Sequence, residues 1–262
     1  MKLFGGKKRQ PAAPAGSIAI GSGGKNPKRR GGSGMRRLIS ILLLLGILAA
    51  FTRPGRRATR AIARRLDDRI ECLNDPGSEA YIRILAPILA RVYRRVAEDA
   101  TREMSSRRRI RGSVVLDIGC GPGELVVAVA RRLREARIIG MDLSPSMLLW
   151  AGRHATTDGR VKFIVGDAAD LPFDDASVDL IVSTLSLHHW PEPADAFAEM
   201  ARVLKPGGVA LIYDLGLLTF TDAEMAVIAV DAGLEPEDIV RERAHGGLIS
   251  SLFVRFRLEG FE

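Results

Sequence analysis

From residue 112 onward, short apolar runs alternate with segments whose apolar positions repeat at helical spacing. A short apolar run is typical of a buried strand, and a 3.6-residue repeat is typical of a helix that packs one face on a core. The runs predict strands over 113–118, 137–141, 161–165, 180–183 and 209–213. The repeats predict helices over 124–135, 145–154, 194–204 and 222–232. This alternation indicates an α/β fold, with a parallel sheet covered by helices on both faces.

Two further strand-like runs end the pattern, over 238–244 and 249–258. No helical repeat separates them, and the Gly246-Gly247 pair between them is typical of a turn. They predict a terminal hairpin, in which one strand runs antiparallel to the rest of the sheet.

Far upstream of the sheet, an uncharged run of 14 residues extends from Leu38 to Phe51. As a helix it would be about 21 Å long, somewhat shorter than the ~30 Å hydrocarbon core of a bilayer. It fits a short membrane anchor, the apolar part of a signal peptide or a buried helix. Six arginines follow it without a small-residue cleavage site, which disfavours the signal peptide. We expect membrane association.

The positive charges that flank this run bear on its orientation. Six lie within 15 residues on each side, so the positive-inside rule gives no direction for a chain that starts at Met1. If translation starts at Met35, only two arginines precede the run and six follow it. We therefore expect the sheet domain to be cytoplasmic, with the choice between the two start codons left open.

Two helical repeats lie between the apolar run and the sheet. Ile62, Leu66, Ile70 and Leu73 form one apolar stripe, and the arginines of this segment lie away from it. Such a basic amphipathic helix suits either an anionic lipid surface, contacted through residues 36–66, or packing on the sheet domain. We expect the second repeat, over 81–96, to pack on or over that domain as a lid.

Charge and composition refine this organisation. The 262 residues carry a formal net charge of +8, yet residues 1–66 hold 16 Lys/Arg and no acid, whereas the remainder holds 23 basic and 31 acidic side chains. Two cysteines exclude a disulfide scaffold. We expect a disordered basic tail, a membrane-anchor candidate, basic amphipathic and lid helices, and a catalytic domain, over 1–34, 35–52, 53–110 and 111–262.

A glycine-rich turn follows the first predicted strand, in the sequence Asp117-Ile-Gly119-Cys-Gly121-Pro-Gly123. Such a turn lets backbone N–H groups approach a ligand closely, but its G-x-G-x-G spacing differs from that of dinucleotide sites. Asp117 would repel a pyrophosphate and could pair with an ammonium group. Asp142 ends the second strand, where an acid can accept from both ribose hydroxyls. These residues favour S-adenosylmethionine, although both acids could instead cap helices.

Five motifs then resemble those of class I S-adenosylmethionine-dependent methyltransferases over residues ~110–258: Val114–Gly123, Ile139–Met147, Gly166–Phe173, Asp179–Thr184 and Leu204–Gly208. The chain looks most similar to the small-molecule branch, the methyltransferase type 11 family, which includes menaquinone and ubiquinone C-methyltransferases. The resemblance implies a Rossmann-like seven-stranded sheet of order 3-2-1-4-5-7-6, with strand 7 antiparallel.

The same resemblance implies a set of cofactor-binding residues. Asp167 would bond the adenine amino group, and Ala168 an adenine ring nitrogen. The full set is Asp117, Gly119, Cys120, Gly121, Gly123, Asp142, Leu143, Met147, Asp167, Ala168 and Ser183.

The loop after the fourth strand supplies the candidates for catalysis. His188 and His189 lie where this fold presents the transferable methyl group, so either could act as a general base or line the acceptor pocket, or the segment could merely pack the loop. Neighbouring residues of an extended segment point in opposite directions, so at most one is expected to act. No third ligand of suitable spacing lies nearby, so we expect no metal site.

Three functions are compatible with these patterns. We favour methyl transfer to a small, lipophilic acceptor such as a quinone, lipid or phenolic precursor. An RNA methyltransferase could use the basic arm as an electrostatic handle, and a non-catalytic S-adenosylmethionine-binding module could keep the fold alone. Ser183-Thr-Leu-Ser186 differs from the Asn/Asp-Pro-Pro-Tyr motif of enzymes that methylate exocyclic amines, which disfavours that chemistry.

Overall fold

The computed structural model describes residues 86–106, 110–154, 159–216, 218–243 and 252–261. These ranges contain α1 (Ala86–Ser106), β1 (Val114–Ile118), α2 (Glu124–Arg132), β2 (Arg137–Asp142), α3 (Pro145–His154), β3 (Val161–Val165), β4 (Val178–Thr184), α4 (Pro193–Val203), β5 (Leu204–Leu215), α5 (Asp222–Asp231), β6 (Ile239–Arg243) and β7 (Phe253–Glu259). Short 3-10 turns cover Leu187–His189 and Pro236–Asp238.

The predicted tail, apolar run and basic amphipathic helix lie outside the described residues. Among the helices of the described ranges, none is long and apolar enough to cross a membrane.

The strands form one seven-stranded sheet in the order β3-β2-β1-β4-β5-β7-β6. β1 to β5 are parallel, and β7 is antiparallel to both β5 and β6. The predicted order and the terminal hairpin are confirmed. β5 begins at Leu204, five residues before the predicted strand, because Leu204 pairs with Val178 across a register shift. Pro206, Gly207 and Gly208 separate Leu204 from Val209, and these residue types are rare in strands. The apolar pattern that predicts the strand therefore begins only at Val209.

Each face of the sheet has its own apolar core. On one face, α1, α2 and α3 pack on Val115, Leu180 and Leu211. On the other face, α4 and α5 pack on Leu116, Ile181 and other side chains of alternate register. The pleat explains this division, because successive strand side chains point to opposite faces. The helices therefore cover both faces and leave the carboxyl ends of the parallel strands as the place for a site.

The helix α1 is part of this core. Its buried residues recur every three or four positions: Val92, Tyr93, Val96, Ala97, Ala100 and Met104. Pro87 lies in its first turn, where the missing N–H costs no helical hydrogen bond. Residues 86–96 belong to the segment that is predicted to pack on or over the sheet domain. In the structure they pack on the sheet as part of α1.

Polar contacts also fix α1 to the strands β5 and β7. The Tyr213 hydroxyl donates to Asp99 Oδ2 at 2.8 Å, and the Arg255 guanidinium lies 3.8 Å from the same oxygen. One turn further on, Arg257 pairs with Glu103 at 2.6 Å. Asp99 is buried, so these donors replace the water that its carboxylate loses on folding.

Candidate active site

Three glycines with positive φ shape the turn between β1 and α2: Gly119 at 69°, Gly121 at 51° and Gly123 at 83°. A Cβ at Gly119 would lie 2.4 Å from the Cβ of Ser186, and one at Gly123 would lie 3.0 Å from the ring of Phe163. Among the described residues, no atom would lie within 4 Å of a Cβ at Gly121. The turn is packed at its two ends and open at Gly121, where a ligand can approach the backbone.

Asp142 ties the end of β2 to this turn. The Gly121 N–H donates to its Oδ2 at 2.7 Å, and the Ser144 N–H donates to its Oδ1 at 2.8 Å. Burial raises the pKa of Asp142, and the N–H donors of Ser144 and Gly121 oppose that rise. Ser144 itself caps α3, since its hydroxyl accepts from the Met147 N–H at 3.4 Å. Each carboxylate oxygen can accept more than one hydrogen bond. Asp142 can therefore also accept from a ligand that lies beside the turn.

Asp117 lies beneath the turn at the end of β1 and is 2% exposed. Its Oδ2 is buried and has no hydrogen-bond partner among the described residues. Burial raises the pKa of Asp117 well above its usual range, and the neighbouring Asp142 carboxylate raises it further. A buried carboxyl without a donor is costly unless a cation or a donor reaches it. The residue therefore fits a site for a positively charged ligand group.

The other predicted cofactor residues lie along the carboxyl ends of β1, β2 and β3. Leu143 is 61% exposed, which leaves an apolar surface beside Asp142. Asp167 accepts from the Ala169 N–H at 3.0 Å, and Ala168 is buried next to it. Met147 is half-buried in the first turn of α3. These positions suit a planar ring that lies on Leu143 with polar groups at its edge.

Two predicted residues are buried, Cys120 within the turn and Ser183 near the end of β4. Burial raises the pKa of the Cys120 thiol, and the Asp117 and Asp142 carboxylates add to this effect, so the residue stays a neutral thiol. The Ser183 hydroxyl lies 2.7 Å from that of Ser186, which in turn donates to the Ile118 carbonyl at 3.3 Å. Ser183 and Ser186 therefore support the glycine turn from the β4 side.

His188 forms a buried pair with Asp214, the residue next to the end of β5. The His188 Nδ1 lies 2.8 Å from Asp214 Oδ1, and the His188 backbone N–H donates to Asp214 Oδ2 at 3.0 Å. The Leu215 N–H donates to the same carboxylate at 2.7 Å. Because a carboxylate only accepts, Nδ1 carries the proton, and Nε2 is the basic nitrogen of the neutral ring.

His189 differs from His188 in its surroundings. Its ring is half-buried and lies 3.9 Å from the His188 ring, at an interplanar angle of 41°. The next residue, Trp190, packs edge-on against Phe197 of α4. The segment is a 3-10 turn and not the extended segment on which the expectation of opposite directions rested, so the two rings lie side by side. His188 is held inward by an acid, and His189 is the more exposed of the two.

Asp214 and Ser186 were not among the predicted site residues. A signal for Asp214 existed, because an acid at the carboxyl end of a predicted strand is the same feature that identified Asp117 and Asp142. The pairing of Asp214 with His188 joins residues 26 positions apart and depends on β4 and β5 being neighbours. Ser186 carried no signal of its own, since its role follows from contact with Gly119.

The site lies where the strand order changes direction. β1 and β4 are neighbours, while β2 and β3 extend the sheet on one side and β5 on the other. In α/β sheets a ligand binds outside the carboxyl ends at such a point. A sheet of this order, with an open glycine turn after β1 and an acid at the end of β2, is the arrangement that the resemblance to class I S-adenosylmethionine-dependent methyltransferases implies.

The comparisons with known proteins agree. Residues 116–212 match the profile of a methyltransferase domain family. Over 152 residues the chain is 34% identical to malonyl-[acyl-carrier protein] O-methyltransferase of Hahella chejuensis, covering 54% of each protein. It is 35% identical over 111 residues to demethylmenaquinone methyltransferase of Staphylococcus carnosus, covering 42% of this chain and 46% of that protein. The chain thus spans about half the length of the curated relatives it matches.

A solved structure supports the fold. A protein of Methanococcus maripaludis classed as an S-adenosylmethionine-dependent methyltransferase superposes with a TM-score of 0.54 at 24% identity, covering 71% of this chain and 93% of the other. The predicted fold is confirmed. The family match and the curated relatives confirm the predicted enzyme class and cofactor for the matched domain. The assigned roles of individual site residues remain predictions.

Proposed function

We propose that the chain transfers a methyl group from S-adenosylmethionine to a small, lipophilic acceptor that carries an acidic O–H or C–H group. The observation that carries the proposal is the buried His188–Asp214 pair at the same end of the sheet as the open turn at Gly121. The names of two relatives, which act on malonyl-[acyl-carrier protein] and demethylmenaquinone, favour an acceptor of the small-molecule type. A quinone, phenolic or lipid precursor fits this description.

The residues around the turn fit the donor. Asp142 would accept from the ribose hydroxyls, and Asp117 would pair with the ammonium of the methionine portion, so the buried carboxyl would gain the donor that its surroundings do not supply. Leu143 would support the adenine ring, with Asp167 and Ala168 at its polar edge. When bound, S-adenosylmethionine supplies an electrophilic methyl group on a sulfonium.

His188 would act as the general base. Its Nε2 would take the proton from the acceptor oxygen or carbon as that atom displaces the sulfonium sulfur from the methyl group. Asp214 holds the ring by Nδ1 and stabilises the imidazolium that results. The proton then passes to solvent. A buried pair of this kind keeps one tautomer and one ring orientation, which an isolated histidine would not.

The first test is transfer of a radiolabelled methyl group into separated lipid, RNA and protein fractions of a cell extract, using the full chain. We expect label in a lipophilic small-molecule fraction. Label confined to RNA would overturn the proposal in favour of a nucleic-acid substrate, and the absence of both transfer and S-adenosylmethionine binding would overturn the enzyme assignment for the whole chain.

The second test compares two histidine variants on the labelled acceptor. We expect His188→Gln to reduce kcat about 100-fold or more and to remove the loss of rate at low pH that protonation of the imidazole causes. His189→Gln is the matched control and should keep that pH profile. Equal effects of the two variants would show that the segment packs the loop and holds no base.

The arm is a separate part of the proposal. The arginines within residues 36–66 and the apolar run at 38–51 favour an anionic membrane surface as the place where a lipophilic acceptor is met. We expect the full chain to float with phosphatidylglycerol vesicles and not with phosphatidylcholine vesicles. Replacement of the six arginines at 53–65 by glutamine should release it, and no difference between the two vesicle types would contradict this part of the proposal.

A further inference from the structure

A cavity of about 440 Å³ lies between α1 and α2, on the outer side of the glycine turn. It extends from Pro122 and Gly123 along the exposed face of α2 to His154, the last residue of α3. The cofactor residues at the ends of β2 and β3 are not part of its wall. The cavity therefore adjoins the proposed donor site only at Gly123 and lies on the other side of the turn from Asp142 and Asp167. Its size is that of a pocket for a small organic ligand.

Three arginines give the wall of this cavity its charge. Arg94, Arg131 and Arg132 line it together with His154, and Glu124 is the one acid among the described residues of the wall. The charge of this wall is opposite in sign to that of residues 67–262 as a whole, which carry 31 acids and 23 basic side chains. A concave surface with one sign of charge concentrates ligands of the opposite sign.

The ion pairs leave part of this charge uncompensated. Arg132 lies 3.6 Å from Glu98, whereas Arg94 and Arg131 form no ion pair or hydrogen bond through their guanidinium groups in the part of the chain that the structure describes. Arg131 and Arg132 are in the last turn of α2, where the helix dipole favours cations. Arg94 is in the middle of α1, where no dipole favours it. Its position facing the other two arginines needs another reason.

The other side chains of the wall are mostly apolar. Ala90 and Tyr93 of α1 and Val127 and Ala128 of α2 form the surface between the arginines and the turn. A ligand that is an anion alone would use only the charged part of this wall. A guanidinium group binds phosphate oxygens well, because it presents several N–H donors in one plane.

We propose that this cavity, lined by Arg94, Arg131 and Arg132 over an apolar floor, binds a phosphate group carried on an apolar chain. The phosphate oxygens accept from the guanidinium groups, and the chain covers Tyr93 and Val127. Such a ligand is either a soluble alkyl phosphate ester or the headgroup region of an acidic lipid, and the two share this chemistry. The proposal does not depend on the identity of the methyl acceptor.

Calorimetric titration of the full chain tests the proposal. The probe is dihexanoyl phosphatidic acid below its micelle concentration, which is compared with inorganic phosphate and with dihexanoyl phosphatidylcholine. We expect the first to bind at least 10-fold more tightly than either of the others. Equal affinity for inorganic phosphate would show that the apolar floor contributes nothing and would overturn the proposal.

Two double variants locate the binding site. Arg94→Gln/Arg131→Gln should weaken phosphatidic acid binding at least 10-fold, while the control Arg134→Gln/Arg137→Gln removes the same charge from exposed positions outside the cavity and should have no effect. The basic arm is identical in both proteins, so its contribution cancels. Equal losses in the two variants would overturn the proposal. It would also be overturned if an RNA oligonucleotide displaced phosphatidic acid from the wild type and from the control variant but not from Arg94→Gln/Arg131→Gln.

Vesicles then distinguish the two sources of the phosphate. If a membrane lipid supplies it, the first double variant should bind phosphatidic acid vesicles more weakly than the control. If a soluble ester supplies it, vesicle binding should be equal in the two, and only the monomeric probe should separate them. Unchanged S-adenosylmethionine affinity in both variants confirms that the fold and the donor site are intact.

Discussion

Asp117 and Asp99 are both buried acids, at 2% and 7% exposure, but their surroundings are opposite. Asp99 of α1 accepts from the Tyr213 hydroxyl and has the guanidinium groups of Arg102 and Arg255 close by. Asp117 of β1 has an oxygen with no partner among the described residues. A fully paired acid holds two elements of a fold together, whereas an acid left without donors keeps a site ready for a cation at a cost in stability. We therefore propose that Asp99 stabilises the fold and that Asp117 serves the ligand.

The largest expected effect is the loss of S-adenosylmethionine affinity when Asp142, which joins the end of β2 to the turn, is replaced. Asp142→Ala removes the acceptor of the Gly121 and Ser144 N–H groups and the proposed acceptor of the ribose hydroxyls. We expect the Kd for S-adenosylmethionine to rise about 100-fold, or ~3 kcal/mol. Calorimetry measures it, and circular dichroism checks that the fold is retained. A change of less than about 3-fold would contradict a role for Asp142 in binding the ligand.

The features that could be predicted from the sequence are those that neighbouring residues determine. The ranges of β3 and α3 follow from local periodicity, and the turn at Gly119–Gly123 follows from glycine spacing between a strand and a helix. Asp142 could be found because it ends a strand.

The pairs that join distant segments could not be predicted in this way. The His188–Asp214 and Tyr213–Asp99 contacts span 26 and 114 positions. Each depends on which elements are adjacent and on side-chain direction, and periodicity determines neither of these. For the same reason the helix α1 could be recognised as amphipathic, while its polar attachment to β5 and β7 could not.

A smaller effect is expected where the paired acid loses one donor. Tyr213→Phe leaves the buried Asp99 Oδ2 without its hydroxyl donor, and burial already raises the pKa of Tyr213, so the wild-type residue donates at all ordinary pH values. We expect the free energy of unfolding to fall by ~1–3 kcal/mol, with the Kd for S-adenosylmethionine unchanged within about 2-fold. Denaturant titration measures the first quantity.

Arg257→Gln is the matched control for Tyr213→Phe. It breaks the contact with Glu103, in which both side chains are about one-fifth exposed, on the same helix and sheet edge. Its cost should be the smaller of the two, ~1 kcal/mol or less. If Tyr213→Phe instead weakened cofactor binding and left stability unchanged, Asp99 and Tyr213 would belong to the site and the comparison would fail.

The smallest expected effect is a gain in stability instead of a loss. It tests most directly the difference between Asp117 and Asp99. Asp117→Asn replaces a buried carboxyl that lacks a donor with a neutral group of similar shape. We expect the ligand-free protein to gain on the order of 1 kcal/mol at neutral pH while its S-adenosylmethionine affinity falls about 10-fold. Asp179→Asn is the control, because its carboxylate accepts from the Val114 N–H and from Lys205 and should therefore lose stability.

The pH dependence gives the same prediction an independent measurement. Because burial raises the pKa of Asp117 in the folded state, the folded protein binds more protons than the unfolded chain between the ordinary carboxyl pKa and the raised value. The contribution of this group to stability is therefore present at low pH and is lost as the pH rises through that window. Denaturant titrations of the ligand-free protein at several pH values should show this fall in the wild type and a weaker fall in Asp117→Asn. An identical pH dependence in the two proteins would mean that Asp117 is already satisfied without a ligand, as Asp99 is.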